Sequence, residues 1–335
     1  MTASGSLVLA GDIGATKTDL GLYAADSRGS LKLLADTIFA SCDAPAMVEK
    51  VREFLVREGA GGEVVAGCFG VAGPVSGGRV RAVNLGLELE EDWLARALGL
   101  SSMTLVNDLY ATAYALAVAE EPDEIEILQP GATACGNGMG GVLAPGTGLG
   151  MALMQRMAKH RPPGIIASEG GHCNFAPRTA DEAALWGWLR GCFGHVSRER
   201  LLSGPGLYNI YRWLKGQDPE PGCRQNAALV LTGARAGEEE ALQALEIFTG
   251  IMGAVAGDLA LFGLTEAGLY LAGGMPSRIL PFLPREVFLE AFRDKGRLSG
   301  WLERVPVKLV LNPRTALAGA ARIALAGVEK SSPGR

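Results

Sequence analysis

The chain has 335 residues, 48% hydrophobic and 20% charged, with a formal net charge of −5. That length gives room for two domains, each with its own core, and the composition is that of a globular rather than a disordered chain. No run of Lys or Arg supplies an electrostatic footprint for nucleic acid or an anionic membrane, so neither partner is expected and a small-molecule role is favoured. The N-terminal stretch MTASGSLVLAGD has no basic region followed by a long apolar segment, which argues against a secretory signal or anchor and for a cytoplasmic location. Six cysteines, at 42, 68, 135, 173, 192 and 223, form no C-x-x-C pair, so neither a disulfide framework nor a structural zinc site is suggested.

Leu7 to Gly11 reads as an apolar strand, DIGATKT (Asp12 to Thr18) as a small-residue tip and Asp19 to Tyr23 as the returning strand. Such a tip either closes an ordinary hairpin or lets backbone N–H groups approach an anion, with Thr16, Lys17 and Thr18 adding donors and charge. If a phosphate sits there, Asp12 is placed to hold its Mg²⁺ through water. Leu31 to Phe39 fits a third strand. Ala44 to Arg57 fits an amphipathic helix with Met47, Val48, Val51, Phe54 and Leu55 on one face. Val64 to Val71 is a buried strand, AGPVSGG (Ala72 to Gly78) a loop, and Arg79 to Asn84 a further segment before a polar helix from about Glu90 to Leu98.

The stretch MTLVNDLYATAYAL (Met103 to Leu116) passes from a buried strand into a helix at Asn107 and Asp108. Ligands gather at such strand ends in open α/β sheets. An Asp there also serves as a helix cap, which is the commoner role for such a residue alone. The acidic patch Glu120 to Glu126 reads as solvated surface and marks a domain boundary; the division expected is 1–118 plus 314–335, and 119–313. Beyond it, Gly140 to Pro145, a GTGLG turn (Gly146 to Gly150) and Met151 to Met157 repeat the strand, tip, strand order seen at Asp12. An internal repeat of that unit suggests two similar domains and two phosphate-cradling tips.

SEGGHCNFAP (Ser168 to Pro177) sets Glu169 and His172 on either side of a Gly pair, a tight loop that can turn both side chains toward one point. Ala183 to Phe193 is helical, and Glu199 follows before a Gly and Pro break, with an exposed helix charge as its plain alternative. Ala241 to Leu261 carries Gly250, Gly253, Ala254 and Gly257 at three- and four-residue spacing, which admits a close neighbour. Its apolar part, Ile247 to Leu261, is too short to span a bilayer and reads as a core helix. Gly268 to Met275 is a strand running into Gly273 and Gly274, either a plain turn or a backbone-open seat for a flat ring. Lys308 to Leu311 is a last strand and Ala316 to Ala326 a small-residue helix, with the tail after Val328 frayed.

Taken together, the chain resembles the bacterial glucokinase family, in the hexokinase branch of the sugar kinase, actin and heat-shock ATPase superfamily, over almost its whole length. DIGATKT resembles the first phosphate motif, GTGLG the second, LAGGM the adenosine motif and VND the catalytic segment. SEGGHCNFAP, HVSRERLLSGPGLYNIYR and FRDKGR resemble stretches characteristic of the glucokinases. The resemblance implies an α/β, two-domain actin-like ATPase fold, a duplicated ribonuclease H-like unit with a cleft between domains. It implies ATP-dependent phosphorylation of D-glucose at the 6-hydroxyl, with Asp108 as general base. Asn107, Glu169, His172 and Glu199 would join Asp108 in holding the sugar. Gly14, Thr16, Lys17, Gly146, Thr147 and Gly148 would contact phosphates, and Gly273 and Gly274 would lie against adenosine. Asp12 would orient Mg²⁺, the cofactor expected with ATP, and the assembly implied is a homodimer. The chain departs from the family pattern at Ala15, where a second glycine is usual, at Leu87, where an aromatic is usual, and at Lys17 in place of Asn. A kinase for mannose or an N-acetylated sugar, a catalytically silent sugar sensor and polyphosphate as donor are the alternatives.

Overall fold

The computed structural model describes residues 6–14, 16–26, 29–82, 87–119, 124–131, 138–155, 157, 162–218 and 227–331. Ala15, Asn84, Cys135, Cys223, residues 120–123 of the acidic patch and the tail after residue 331 lie outside them. The chain divides into two compact units, Met1–Glu120 with Arg314–Arg335, and Glu121–Pro313.

The first unit opens with β1 (Leu7–Ile13), β2 (Lys17–Ala25) and β3 (Leu31–Ala40), followed by α1 (Ala44–Arg57) and β4 (Val64–Val71). A small meander of β5 (Val75–Ser76), β6 (Arg79–Ala82) and β7 (Leu87–Glu90) leads to α2 (Glu91–Leu98), β8 (Ser102–Asn107) and α3 (Asp108–Val118). The second unit contains β9 (Ile125–Gln129), β10 (Met139–Pro145), β11 (Leu149–Gln155), β12 (Gly164–Ser168), α4 (Ala180–Phe193), α5 (Gly204–Leu214), α6 (Ala227–Arg235) and α7 (Glu239–Gly263). It closes with β13 (Gly268–Leu271), α8 (Gly274–Ile279), α9 (Arg285–Arg293), α10 (Ser299–Leu302) and β14 (Val307–Val310), before α11 (Thr315–Ser331) returns to the first unit.

In the first unit five strands lie in the order β3-β2-β1-β4-β8, antiparallel from β3 to β1 and parallel from β1 to β8. Alternation along β1 and β2 sends Leu9, Ile13, Leu20 and Leu22 to one face, against Met47, Val51 and Phe54 of α1 and Leu94 of α2. Val8, Ala10 and Tyr23 face the other way, against Leu317, Ala320 and Ala324 of α11. Each large side chain buried in this way contributes roughly 1.5–3 kcal/mol as an upper estimate. The start of α1 is fixed by Asp43, whose carboxylate accepts from the Ala46 N–H at 2.9 Å, and by Pro45 in the first turn.

The second unit repeats the plan. Its sheet runs β12-β11-β10-β13-β14-β9, so β12 to β14 reproduce the order and directions of β3 to β8, and β9 is added antiparallel at the far edge. The internal repeat expected from the two Gly-containing tips is therefore present at the level of whole sheets. The glycine stripe of α7 serves a core contact: Gly253 and Gly257 bring its backbone against the Phe288 and Phe292 carbonyls of α9. By length and composition α7 could cross a membrane, yet 72% of its most apolar window is buried, as in a core helix.

Three features differ from the sequence reading. Residues 125–126 of the patch read as solvated surface, together with 127–129 and with 164–168, form two edge strands that the sequence reading did not assign; β9 alternates Ile125 and Ile127 with Glu126, and β12 is exposed along almost its whole length. Leu87 begins a strand of the small meander and is 1% exposed, packed in the first unit's core. The last helix continues past Ala326 to Ser331.

The tightest approach between helices in the first unit is α3 on α11, where a Cβ on Gly319 would overlap the Ala111 carbonyl. Gly319→Ala is expected to lower stability by about 1–3 kcal/mol, the usual range for overpacking a close contact. The urea midpoint measures it; an unchanged midpoint would show that the helices separate without penalty.

Candidate active site

The first tip is braced by the residue that follows β3. The Gly14 N–H donates to the Lys17 carbonyl at 3.0 Å, closing the turn, and the Ser41 hydroxyl donates to the Gly14 carbonyl at 2.7 Å. The Ser41 N–H donates to the Thr16 carbonyl at 3.2 Å, and its hydroxyl lies 3.1 Å from that of Thr18. With carbonyls on the tip so engaged, Thr16 and Lys17 remain exposed to meet a ligand. Neither Ser41 nor its role is signalled by the local sequence, because the contact joins residues more than twenty apart.

Asp12, read as part of the tip, is in fact in β1, directly opposite Asp19 of β2. Directly opposed like charges on antiparallel strands repel. Burial, then Asp108, then Asp19 push the Asp12 carboxyl up from its ordinary 3.8 to about 7, with Lys17 opposing. Asp19, a residue the sequence reading treated as plain strand, is raised mainly by burial against the pull of Lys17 and Arg314, and its Oδ1 is buried with no hydrogen-bond donor. Facing carboxylates short of counter-charge are hard oxygen donors suited to Mg²⁺. No group of three or more His, Cys, Asp or Glu able to hold a metal occurs among the described residues.

Asn107 and Asp108 sit at the junction of β8 and α3. The helix cap is Asn107 rather than Asp108: its Oδ1 accepts from the Leu109 N–H at 3.0 Å and the Tyr110 N–H at 3.2 Å, and its Nδ2 donates to the Gly73 carbonyl at 3.2 Å. Asp108 is the first helical residue, half-buried, with Oδ1 2.8 Å from the Leu109 N–H. Gly70 of β4 lies beneath it, where a Cβ would stand 3.3 Å from the Asp108 Cα. Asp108 thus shares the Leu109 N–H with the Asn107 cap, and its charge contributes to the raised carboxyl of Asp12.

In the second unit the GTGLG tip is closed by the Gly146 N–H on the Gly148 carbonyl and held by the Gly204 N–H on the Gly146 carbonyl, both at 2.8 Å. Glu199, in the 3₁₀ turn Arg198–Arg200, is half-buried, and its Oε2 accepts from the Leu149 N–H at 2.9 Å. It is therefore no free helix charge. Glu169 precedes the 3₁₀ turn Gly170–His172 and His172 closes it; both are exposed and 3.8 Å apart, side by side as expected but too distant for a hydrogen bond. Gly171 between them packs on the Leu149 carbonyl. The segments bearing His172 and Glu199 are joined by an Asn174–Ser197 bridge and by the Phe175 N–H on the Val196 carbonyl at 3.0 Å.

The third Gly turn follows β13. Gly273 has φ +83°, and a Cβ there would stand 2.7 Å from the Pro145 carbonyl, so only glycine serves both the conformation and the approach to the end of β10. The space beside Gly274 is open. Thr147 and Gly148 complete the neighbouring tip.

The sequence pattern of the glucokinase family matches residues 9–326. The glucokinase of Synechocystis sp. is 35% identical, the match covering 96% of this chain and 98% of the relative. A solved glucokinase from an Antarctic psychrotroph superposes with a TM-score of 0.79 at 29% identity, covering 95% of this chain and 98% of its own. The glucokinase of Balamuthia mandrillaris, solved in complex with glucose, gives 0.80 at 22% identity over 96% and 94%, a likeness of fold. The α/β actin-like ATPase fold expected from the motifs is the one these structures share.

The raised Asp12 gives a pH prediction for the metal-free protein. A carboxyl with a folded value near 7 and an unfolded value near 3.8 binds its proton more tightly when folded. Its contribution is fully present below pH 3.8 and is lost as pH rises to about 7. The Tm in EDTA is expected to fall across that window more steeply for the wild type than for Asp12→Asn. Parallel profiles would refute the assignment of the buried charge to Asp12.

Proposed function

The chain belongs to the glucokinase family, and from that premise we propose that it transfers the γ-phosphoryl group of ATP to the 6-hydroxyl of D-glucose with Asp108 as general base. Family membership makes it a glucose-phosphorylating enzyme. The donor, the hydroxyl and the residue roles are our reading. The observation that carries it is the placement of Asp108 at the β8–α3 junction, the first residue of the helix, with its charge felt by the Asp12 carboxyl.

In this reading Asp108 accepts the 6-hydroxyl proton as the sugar oxygen bonds to phosphorus and the bond from phosphorus to the β,γ-bridging oxygen breaks, releasing ADP. Asn107, whose Nδ2 spends one hydrogen on Gly73, has a second for a sugar hydroxyl. Glu169, His172 and Glu199 take other hydroxyls; a missing hydroxyl leaves a polar group unpaired, which favours a polyhydroxylated substrate. Gly14, Thr16 and Lys17 on one tip and Gly146, Thr147 and Gly148 on the other meet the phosphates, and Gly273 and Gly274 lie against adenosine. Asp12 would hold Mg²⁺, and that ion would neutralise phosphate charge when bound. Positioning and charge stabilisation suffice for phosphoryl transfer, so this set needs no covalent intermediate. A cytoplasmic homodimer belongs to the same reading, and light scattering counts its subunits.

Sugar-dependent ADP release, measured on glucose, mannose and N-acetylated hexoses with ATP or polyphosphate as donor, tests the proposal. Glucose with ATP is expected to give the highest kcat/KM, and Asp108→Asn to lower kcat by roughly 10²- to 10⁴-fold. Turnover that survives the substitution unchanged would remove Asp108 from the chemistry. Preference for another hexose or for polyphosphate would reassign the substrate or donor, and sugar binding without any turnover would make the protein a sensor.

A further inference from the structure

Glu199, of the proposed sugar set, is bonded to a phosphate tip. Its Oε2 takes the N–H of Leu149, within the GTGLG turn, at 2.9 Å. The seat is shaped for it: a Cβ on Gly148 would stand 2.6 Å from that oxygen, so a side chain at that position would evict the carboxylate. The Glu199 backbone is fixed as well, because its carbonyl accepts from the Ser203 hydroxyl at 2.8 Å, which also caps α5 through the Gly206 N–H at 3.0 Å. The next residue, Gly204, donates to the Gly146 carbonyl. A continuous chain of bonds therefore runs from Ser203 through Glu199 and Gly204 to both ends of the turn. On its other side, Gly171 of the Glu169–His172 loop packs against the Leu149 carbonyl, so the two segments that carry sugar candidates both fasten on Leu149.

The carboxylate has two oxygens and the turn uses one. Oε1 makes no hydrogen bond among the described residues and is available to a hydroxyl. We propose that Glu199 is a positioning residue for the nucleotide as well as a sugar ligand. Through Oε2 it sets the second phosphate turn, so that sugar held on Oε1 and nucleotide held on the turn favour each other through one carboxylate. This rests on the kinase reading above and adds to it a coupling between the two substrates. A sugar that immobilises the Glu199 side chain removes freedom the turn would otherwise lose when phosphate binds, and such coupling is reciprocal.

The test is calorimetric titration of AMP-PNP with Mg²⁺, with and without saturating glucose, on the wild type, Glu199→Ala and Glu199→Gln. Removing a charged acceptor from an amide is expected to weaken nucleotide binding in the absence of sugar by about tenfold. Glu199→Gln keeps an oxygen for the Leu149 N–H and should restore most of that loss, and the gain in affinity that glucose gives the wild type should shrink in Glu199→Ala. Sugar-free nucleotide affinity that is unchanged in Glu199→Ala would overturn the proposal and leave Glu199 a sugar ligand only. Hydrogen exchange at the Leu149 amide of the wild type gives a second measure independent of any variant's folding: glucose should slow it, and an unchanged rate would count against the coupling. Failure of the kinase reading shows separately, as absent sugar-dependent turnover, whereas the sugar-free titration reads the turn alone.

Discussion

The crowding of negative charge on one face of the first sheet is the constraint around which that unit is organised. Asp12 and Asp19 stand opposite each other on β1 and β2, Asp108 is close enough to raise Asp12, and Lys17 is the cation that opposes both shifts. Nothing about folding requires this arrangement, since an apolar pair at the same register would pack without repulsion. Arg314, at the approach to α11, offsets part of it at the Asp19 end and pairs with Asp36 at 2.7 Å. The deficit of positive charge is left at the Asp12 end, beside the first phosphate-type tip. Strain of this electrostatic kind belongs at functional positions, where a ligand relieves it.

The two units solve one mechanical problem in two ways. Each presents a hairpin tip rich in small residues, and such tips are floppy unless their carbonyls are engaged. In the first unit Ser41, a neutral hydroxyl, holds the tip. In the second, Gly204 and a charged carboxylate, Glu199, hold it. A hydroxyl brace is indifferent to what binds nearby, whereas a carboxylate with a second oxygen to offer links the tip to a polar ligand. The two units share the sheet order and differ in the brace.

Much of this was legible in the sequence where local physics decides the outcome. Helix α1 begins and ends where its cap, Pro45 and apolar face say it must, and the repeated strand, tip, strand order announced the duplicated sheet. The stripe of Gly253 and Gly257 signalled a close neighbour, found as α9, although the spacing carries no information on which element that is. What escaped was long-range or carried no period. Strand β12 has no alternation because both of its faces are largely exposed, and β9 is masked by its acidic residues. Glu199 looked like a surface charge since its partner lies 50 residues earlier. An Asp at a strand-to-helix junction suits a helix cap in the sequence, whereas the structure puts the N-cap one residue earlier, at Asn107.

The charge deficit also bears on which form of the nucleotide the proposed site accepts. A nucleotide stripped of its cation would bring further negative charge to a face that already holds Asp12, Asp19 and Asp108 against Lys17. At separations of about 4–6 Å and an effective dielectric near 20, each added like-charge pair costs on the order of 3–4 kcal/mol. In the proposed reading, a divalent ion held at Asp12 would reverse the sign of that interaction and neutralise phosphate oxygens, which would favour entry of metal and nucleotide as one complex. In the proposed reading, a cation at Asp12 would offset the burial and the like charges that raise this carboxyl.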